Sequence, residues 1–167
     1  MTDRDALLER TDSGLYCPAG DFHVDPWKRV PRAMITHGHG DHARPGMGHY
    51  WTQADGVPIL RKRLGRYVPL DGVAYGEPLP FGPVRVTLHP AGHILGSAQV
   101  RIEHEGRVWV VSGDFKRDRD PTCAPFEVVP CDTFVTEATF AYPVYRWPDA
   151  AEVAREVHDW WRECAEA

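Results

Sequence analysis

The chain has 167 residues, 24 acidic and 19 basic side chains, and a net charge of −5. That length holds one ordinary domain with a real core, and 43% apolar residues excludes a disordered chain. No run approaches the roughly 18–20 apolar residues of a membrane span, so no membrane partner is expected. The acidic balance excludes a wholly basic nucleic-acid coat but leaves room for a local basic groove.

In chain order, short β-like runs bounded by Gly, Pro or Asp come at Gly14–Cys17 and Phe22–Asp25. Another follows at Arg32–Thr36, whose Ala-Met-Ile centre reads as buried. Pro58–Leu64 predicts two helical turns, with the proline where its missing N–H is harmless. Val84–Leu88 alternates apolar residues on one face, and Ala98–His104 and Arg107–Ser112 flank Glu105-Gly106 as a hairpin. Thr133–Thr136 is the last strand. A C-terminal helix opens at Asp149, a plausible N-cap with Glu152 three residues on. It sets Val153, Val157, Trp160 and Cys164 on one face. Strands with sparse helices predict an α/β or α+β fold framed by sheets.

Met1-Thr2-Asp3-Arg4-Asp5 lacks the basic and apolar stretches of a secretory signal, so a cytoplasmic location is expected. Cys17, Cys123, Cys131 and Cys164 form no CxxC pair and read as reduced, mostly buried thiols. The nine histidines are the compositional excess.

The densest chemistry is Thr36-His37-Gly38-His39-Gly40-Asp41-His42, on a loop at the end of a β-run. The two glycines are expected to free the backbone so that alternate histidines converge. Three imidazoles and one carboxylate within six residues suit the preference of zinc for N and O ligands. A loop of solvated histidines is the bland alternative, and four ligand-type side chains at this density argue against it.

His37-x-His39-x-Asp41-His42 resembles the signature of the metallo-β-lactamase superfamily. Asp25, His93 in Ala91-Gly92-His93-Ile94-Leu95-Gly96-Ser97, and Asp114 in Ser112-Gly113-Asp114-Phe115 match its other motifs in order. The resemblance implies a metallo-β-lactamase-like αββα sandwich, two sheets between helices with the site at one edge. It implies that His37, His39 and His93 hold one Zn²⁺, that Asp41 and His42 hold a second, and that Asp114 bridges them, with Mn²⁺ as another candidate metal. Asp25 would sit behind the ligands and orient them or the metal-bound water.

Thr136-Glu137-Ala138-Thr139-Phe140 resembles motif A of the β-CASP nuclease group. Gly14-Leu15-Tyr16-Cys17, Asp25-Pro26-Trp27 and Gly113-Asp114-Phe115-Lys116-Arg117 are similar to the bacterial DNA-ligase-associated exonucleases. That likeness implies a zinc-dependent DNA exonuclease of repair, with DNA ligase and helicase partners, attacking phosphorus in line with a metal-bound hydroxide. Asp25, Asp41, Asp114 and Glu137 would be its acidic catalytic residues, and Lys116 and Arg117 would meet substrate. The group's pattern also calls for two histidines well downstream of Glu137, where only His158 follows. The expectation is therefore an N-terminal portion: residues 1–140 from the metallo-β-lactamase domain, and 141–167 as linker and first helix of a truncated β-CASP-like domain.

Three other readings stay open: an RNA-processing β-CASP nuclease, a small-molecule metallo-hydrolase acting on a thioester or lactam, and a non-catalytic metal- or nucleic-acid-binding module. His23, His49 and His104 read as packing or surface residues, and His89 as a neighbour of the site. Arg61-Lys62-Arg63 with Arg66 reads as a solvated face that could instead contact phosphates. Tyr142, Tyr145 and Trp147 pack locally or stack on bases, and Trp160 and Trp161 read as an apolar surface.

Overall fold

Ala33, Met34 and Ile35 point alternately to the two sides of their strand, yet all three are fully buried. A strand of that kind needs cover on both faces, and the computed structural model, which describes residues 6–165, supplies it. The segment Met1–Asp5 read above lies outside those residues. The chain divides into two compact units, Met1–Glu137 and Ala138–Ala167.

The first unit carries two sheets. One contains β1 (Glu9–Thr11), β2 (Gly14–Cys17), β3 (Phe22–Val24), β4 (Arg32–Met34), β5 (His49–Gln53) and β6 (Leu70–Val73), side by side in that order. Pairing is antiparallel from β1 to β3 and parallel from β3 to β6. Between β5 and β6 lies α1 (Val57–Leu64). The second sheet contains β7 (Leu79–Phe81), β8 (Val84–Pro90), β9 (Ala98–His104), β10 (Arg107–Val111) and β11 (Thr133–Val135), ordered β11-β10-β9-β8-β7. Only β10 and β11 run parallel there.

Phe22, Val24 and Met34 of the first sheet share one core with Val86, Leu88, Val100 and Ile102 of the second. Ala33, Ile35 and Tyr50, facing the other way, form a second core with Ala43, Met47 and Leu60 of α1. Each fully buried side chain of this size stabilises the fold by about 1.5–3 kcal/mol. The result is a mixed α/β sandwich with layers helix, sheet, sheet. The outer face of the second sheet is polar: Arg85 and Arg101 both donate to Glu103 Oε2 at 2.6 Å. Among the described residues of the first unit, no helix covers that face.

The expected strands are present to within two residues, and the turn between β9 and β10 is built from left-handed Glu105 (φ 50°) and Gly106 (φ 75°). Four strands escaped the sequence pattern. β1, β6 and β7 are short sheet edges, and Pro80 within β7 is tolerated because an edge strand can spare an N–H. β5 is central but reads His-Tyr-Trp-Thr-Gln, polar side chains hiding a buried parallel strand.

In the second unit, α2 (Ala150–Ala165) is capped as its sequence suggests. Asp149 Oδ1 accepts the backbone N–H of Ala151 at 2.9 Å and of Glu152 at 3.1 Å. Phe140 meets Tyr145 and Trp147 edge-on, with ring centroids 5.1 and 5.0 Å apart. These aromatics pack on one another, though Trp147 keeps 69% exposure. The cysteines are all free, but only Cys17 is buried, which corrects the expectation of mostly buried thiols. No helix among the described residues is long and apolar enough to cross a membrane.

Candidate metal centre

Strand direction gathers the predicted ligands. Asp25 follows β3 and the Thr36–His42 loop follows its parallel neighbour β4. His93 follows β8, Asp114 follows β10 and Glu137 follows β11, three strands that run the same way in the second sheet. The sheets are tied where these ends meet, by Ala98 N donating to Thr36 O at 2.8 Å. The turn into Asp114 depends on Gly113, whose φ is +56°. A Cβ there would lie 2.7 Å from both Cβ and Oγ1 of Thr36, so only glycine lets the two loops touch.

One donor atom each from His37, His39, His93 and Asp114 lies within 4.8 Å of all the others. His39 Nδ1 is 3.0 Å from His37 Nε2 and 3.2 Å from His93 Nε2. Asp114 Oδ2 is 3.7 Å from Nε2 of His37 and of His93. Four ligands around a tetrahedral zinc with bonds near 2.0–2.1 Å stand about 3.3–3.4 Å apart, so this donor set fits such an ion. Asp114 Oδ1, its other oxygen, lies 3.3 Å from His42 Nε2, which is 3.6 Å from Asp41 Oδ2. Asp114 thus offers one carboxylate oxygen to each group of donors.

Burial, then the neighbouring His42, His93 and His39, pushes the His37 imidazole down to about 2, so it stays neutral. Neutral imidazole is the form that binds metal. Burial opposes charge on His42, but the hydrogen bond and charge of Asp25, with Asp114 and Asp41, outweigh it and raise its pKa. That surplus of negative charge is what a cation would answer. Burial is also the main reason His93 is lowered, against the opposing pull of Asp114 and, more weakly, Glu137.

Behind the donors, Asp25 and Thr36 set the tautomers. Asp25 Oδ1 accepts Thr36 N–H at 2.8 Å, and Oδ2 accepts Thr36 Oγ1–H at 2.6 Å. The same Oδ2 lies 2.7 Å from His42 Nδ1, which must carry the proton because an ionised carboxylate only accepts. With its hydrogen given to Asp25, Thr36 Oγ1 accepts from His37 Nδ1 at 3.1 Å. The neutral His37 ring therefore turns an unprotonated Nε2 toward the donor cluster, and His42, held at Nδ1, turns its Nε2 toward Asp114. Asp25 stands behind the donors, bonded to Thr36 and to His42. The hydroxyl of Thr36, 1% exposed, is the participant that sequence reasoning passed over.

The loop glycines act differently from the expectation, since neither Gly38 nor Gly40 has a positive φ. They provide room: a Cβ on Gly38 would lie 2.6 Å from Ile59 Cγ2, and one on Gly40 would lie 2.9 Å from Arg63 Nη1. Arg63 in turn donates from Nε to Gly38 O at 2.7 Å, and Arg61 donates to Arg66 O at 2.8 Å. Two members of the basic run are therefore structural braces. Glu137 lines one cavity, of about 280 Å³, with Asp25, Asp41, His42 and Asp114. Lys116 and Arg117 are not among its lining residues; Lys116 Nζ is 3.8 Å from Asp120. His89 bonds Thr87 and Glu127, and His49 stacks on Trp51.

A cluster of histidines and aspartates at the meeting edge of two sheets defines a metal-binding αβ sandwich. No family model matches the chain. A probable DNA ligase of Opitutus terrae is 32% identical over 152 residues, covering 86% of this chain and 14% of that protein. Endoribonuclease YSH1 of Gibberella zeae is 31% identical over 122 residues, covering 71% and 14%. Ribonuclease TTHA0252 of Thermus thermophilus is 30% identical over 149 residues, covering 71% and 34%. The chain belongs to the metallo-β-lactamase superfamily, in its β-CASP nuclease group. It spans between 14% and 34% of the length of these curated relatives.

Proposed function

We propose that this chain carries the metal centre of a zinc-dependent phosphodiester hydrolase, a DNA exonuclease acting in cytoplasmic DNA repair. The observation that carries the reading is Asp114, whose two carboxylate oxygens face two different donor groups. His37, His39 and His93 would hold one cation with Asp114, and Asp41 and His42 would share the other with it. Two such cations neutralise a phosphodiester and lower the pKa of water at its phosphorus. The protein's part is to keep Nε2 of His37 unprotonated through Thr36, to fix the His42 ring through Asp25, and to set Asp114 between the two groups. Glu137, on the same cavity wall, would position the group that protonates the leaving oxygen. Residues 141–167 would be the linker and first helix of a β-CASP-like domain.

The probable DNA ligase among the relatives supports a DNA substrate and a ligase partner. A ribonuclease reading has its own support, because the other two relatives described are ribonucleases by name. End-labelled single- and double-stranded DNA and RNA, incubated with the Zn²⁺-loaded protein and with His37→Ala and Asp114→Ala controls, separate the two. Laddered loss of the DNA label, abolished in both variants, is the expected result. Cleavage restricted to RNA would establish the second reading, and full activity in both variants would refute the site.

A further inference from the structure

We propose that Trp27 is a stacking platform for a nucleobase, making the cavity beside Asp114 a site for a nucleotide unit rather than for a bare phosphodiester. The inference deepens the phosphodiesterase reading and rests on it. Trp27 lines the same cavity as Asp41, His42 and Asp114, together with the apolar side chain of Leu15. A volume of about 280 Å³ falls just below the range of small-molecule pockets, roughly 300–1,000 Å³. Such a space takes one monomer, not a folded partner.

The indole is fixed without being buried. Its Nε1–H donates to Asp12 O at 2.7 Å, and its backbone N–H donates to Ser13 O at 3.0 Å. Gly14 lies beside the ring, where a Cβ would make ordinary contact with Trp27 Cε3 at 3.7 Å. Yet 47% of the residue remains exposed. A tryptophan serving only the core would hide its ring; here the hydrogen bond takes one edge of a residue that stays half-exposed on the cavity wall. Because the ring is already ordered, a flat ligand landing on it costs little further side-chain entropy. The cavity's other wall carries the carboxylates and imidazole that would hold the cations of the proposed function, so with those cations a π-faced group joined to a phosphate fits both halves. Every base offers such a face, which makes the contact tolerant of sequence.

The test is binding, read by fluorescence anisotropy with the Zn²⁺-loaded protein. The probes are an oligothymidine and an equally long abasic (tetrahydrofuran) oligomer, both phosphorothioate-linked to resist cleavage. The wild-type protein should prefer the base-bearing oligomer. Trp27→Ala should weaken that oligomer about tenfold, within the range of base–aromatic stacking, and leave the abasic one unchanged. Trp27→Tyr, which keeps an aromatic face, should restore most of the affinity. Equal weakening of both probes by Trp27→Ala, or of neither, overturns the proposal. So does a wild-type protein that binds both probes equally, a result needing no variant and leaving the phosphodiesterase reading intact. A wild-type protein that binds neither probe removes that reading and the proposal together.

Discussion

Replacing Thr36 by valine removes one hydroxyl from a fully packed position and nearly nothing else, so it isolates the relay behind the donors. Two contacts go: the bond to the Asp25 carboxylate at 2.6 Å and the acceptor for His37 Nδ1–H at 3.1 Å. A hydrogen bond to a charged group contributes about 1.5–3 kcal/mol, and a buried donor left without a partner costs about 1–3 kcal/mol. Because the two share one hydroxyl they do not simply add, and a loss of about 3 kcal/mol is expected. At roughly 2–4 °C per kcal/mol for a chain of this size, the midpoint should fall by about 6–12 °C. The freed ring of His37 also loses its preferred tautomer, and partners of this kind change metal affinity by about 10–100-fold. Thr36→Ser keeps the hydroxyl and deletes one buried methyl, worth about 1 kcal/mol. Thermal unfolding and Zn²⁺ competition against a chelator should therefore rank wild type, Ser and Val in that order, with Ser close to wild type. If Val retains wild-type zinc affinity, or Ser is as poor as Val, the hydroxyl does not set the ring and the relay is wrong.

Gly38→Ala should weaken zinc binding and stability because its Cβ would meet Ile59 Cγ2 at 2.6 Å, and adding Ile59→Ala should recover the zinc affinity; no recovery would mean that the loop needs glycine for another reason. Stripping the protein with a chelator should lower its midpoint, and Zn²⁺ at about 100 times its Kd should restore about 2.7 kcal/mol. Elemental analysis should find the ion lost in His37→Ala, and an unchanged midpoint on stripping would exclude a metal centre. Burial, then the charges of Asp55 and Cys123, pushes the Tyr75 phenol up from 10.0 to about 12. Its O–H donates to Ser97 O at 2.8 Å, next to the loop that carries His93. A raised folded pKa favours the protonated form, so this contribution is complete below pH 10 and is lost as pH rises through 12. Alkaline unfolding of Tyr75→Phe should lack that step, and an identical profile would show that the bond to Ser97 contributes nothing.

The donors were legible because chemistry and sequence coincide there: four ligand-type side chains within six residues, each motif at the end of an apolar run. Their roles were less so. Asp21, Asp25 and Asp41 are alike as residues, and only the parallel pairing of β3 with β4 brings Asp25 under Thr36 and His42. Arg63 reads as part of a basic patch because the group it holds, the carbonyl of Gly38, has no side-chain signature and lies 25 residues earlier. The glycines of the loop show the same limit: their presence was visible, but the reason, space for Ile59 and Arg63, belongs to a helix packed from the other side of the sheet. A motif states which atoms can bind a cation. Whether they present lone pairs in the same direction is decided by what stands behind them, and here that is a threonine hydroxyl with one hydrogen to give. Since that hydrogen goes to Asp25, His37 can only donate to Thr36, and the orientation of the donor cluster follows from proton counting at two residues outside it.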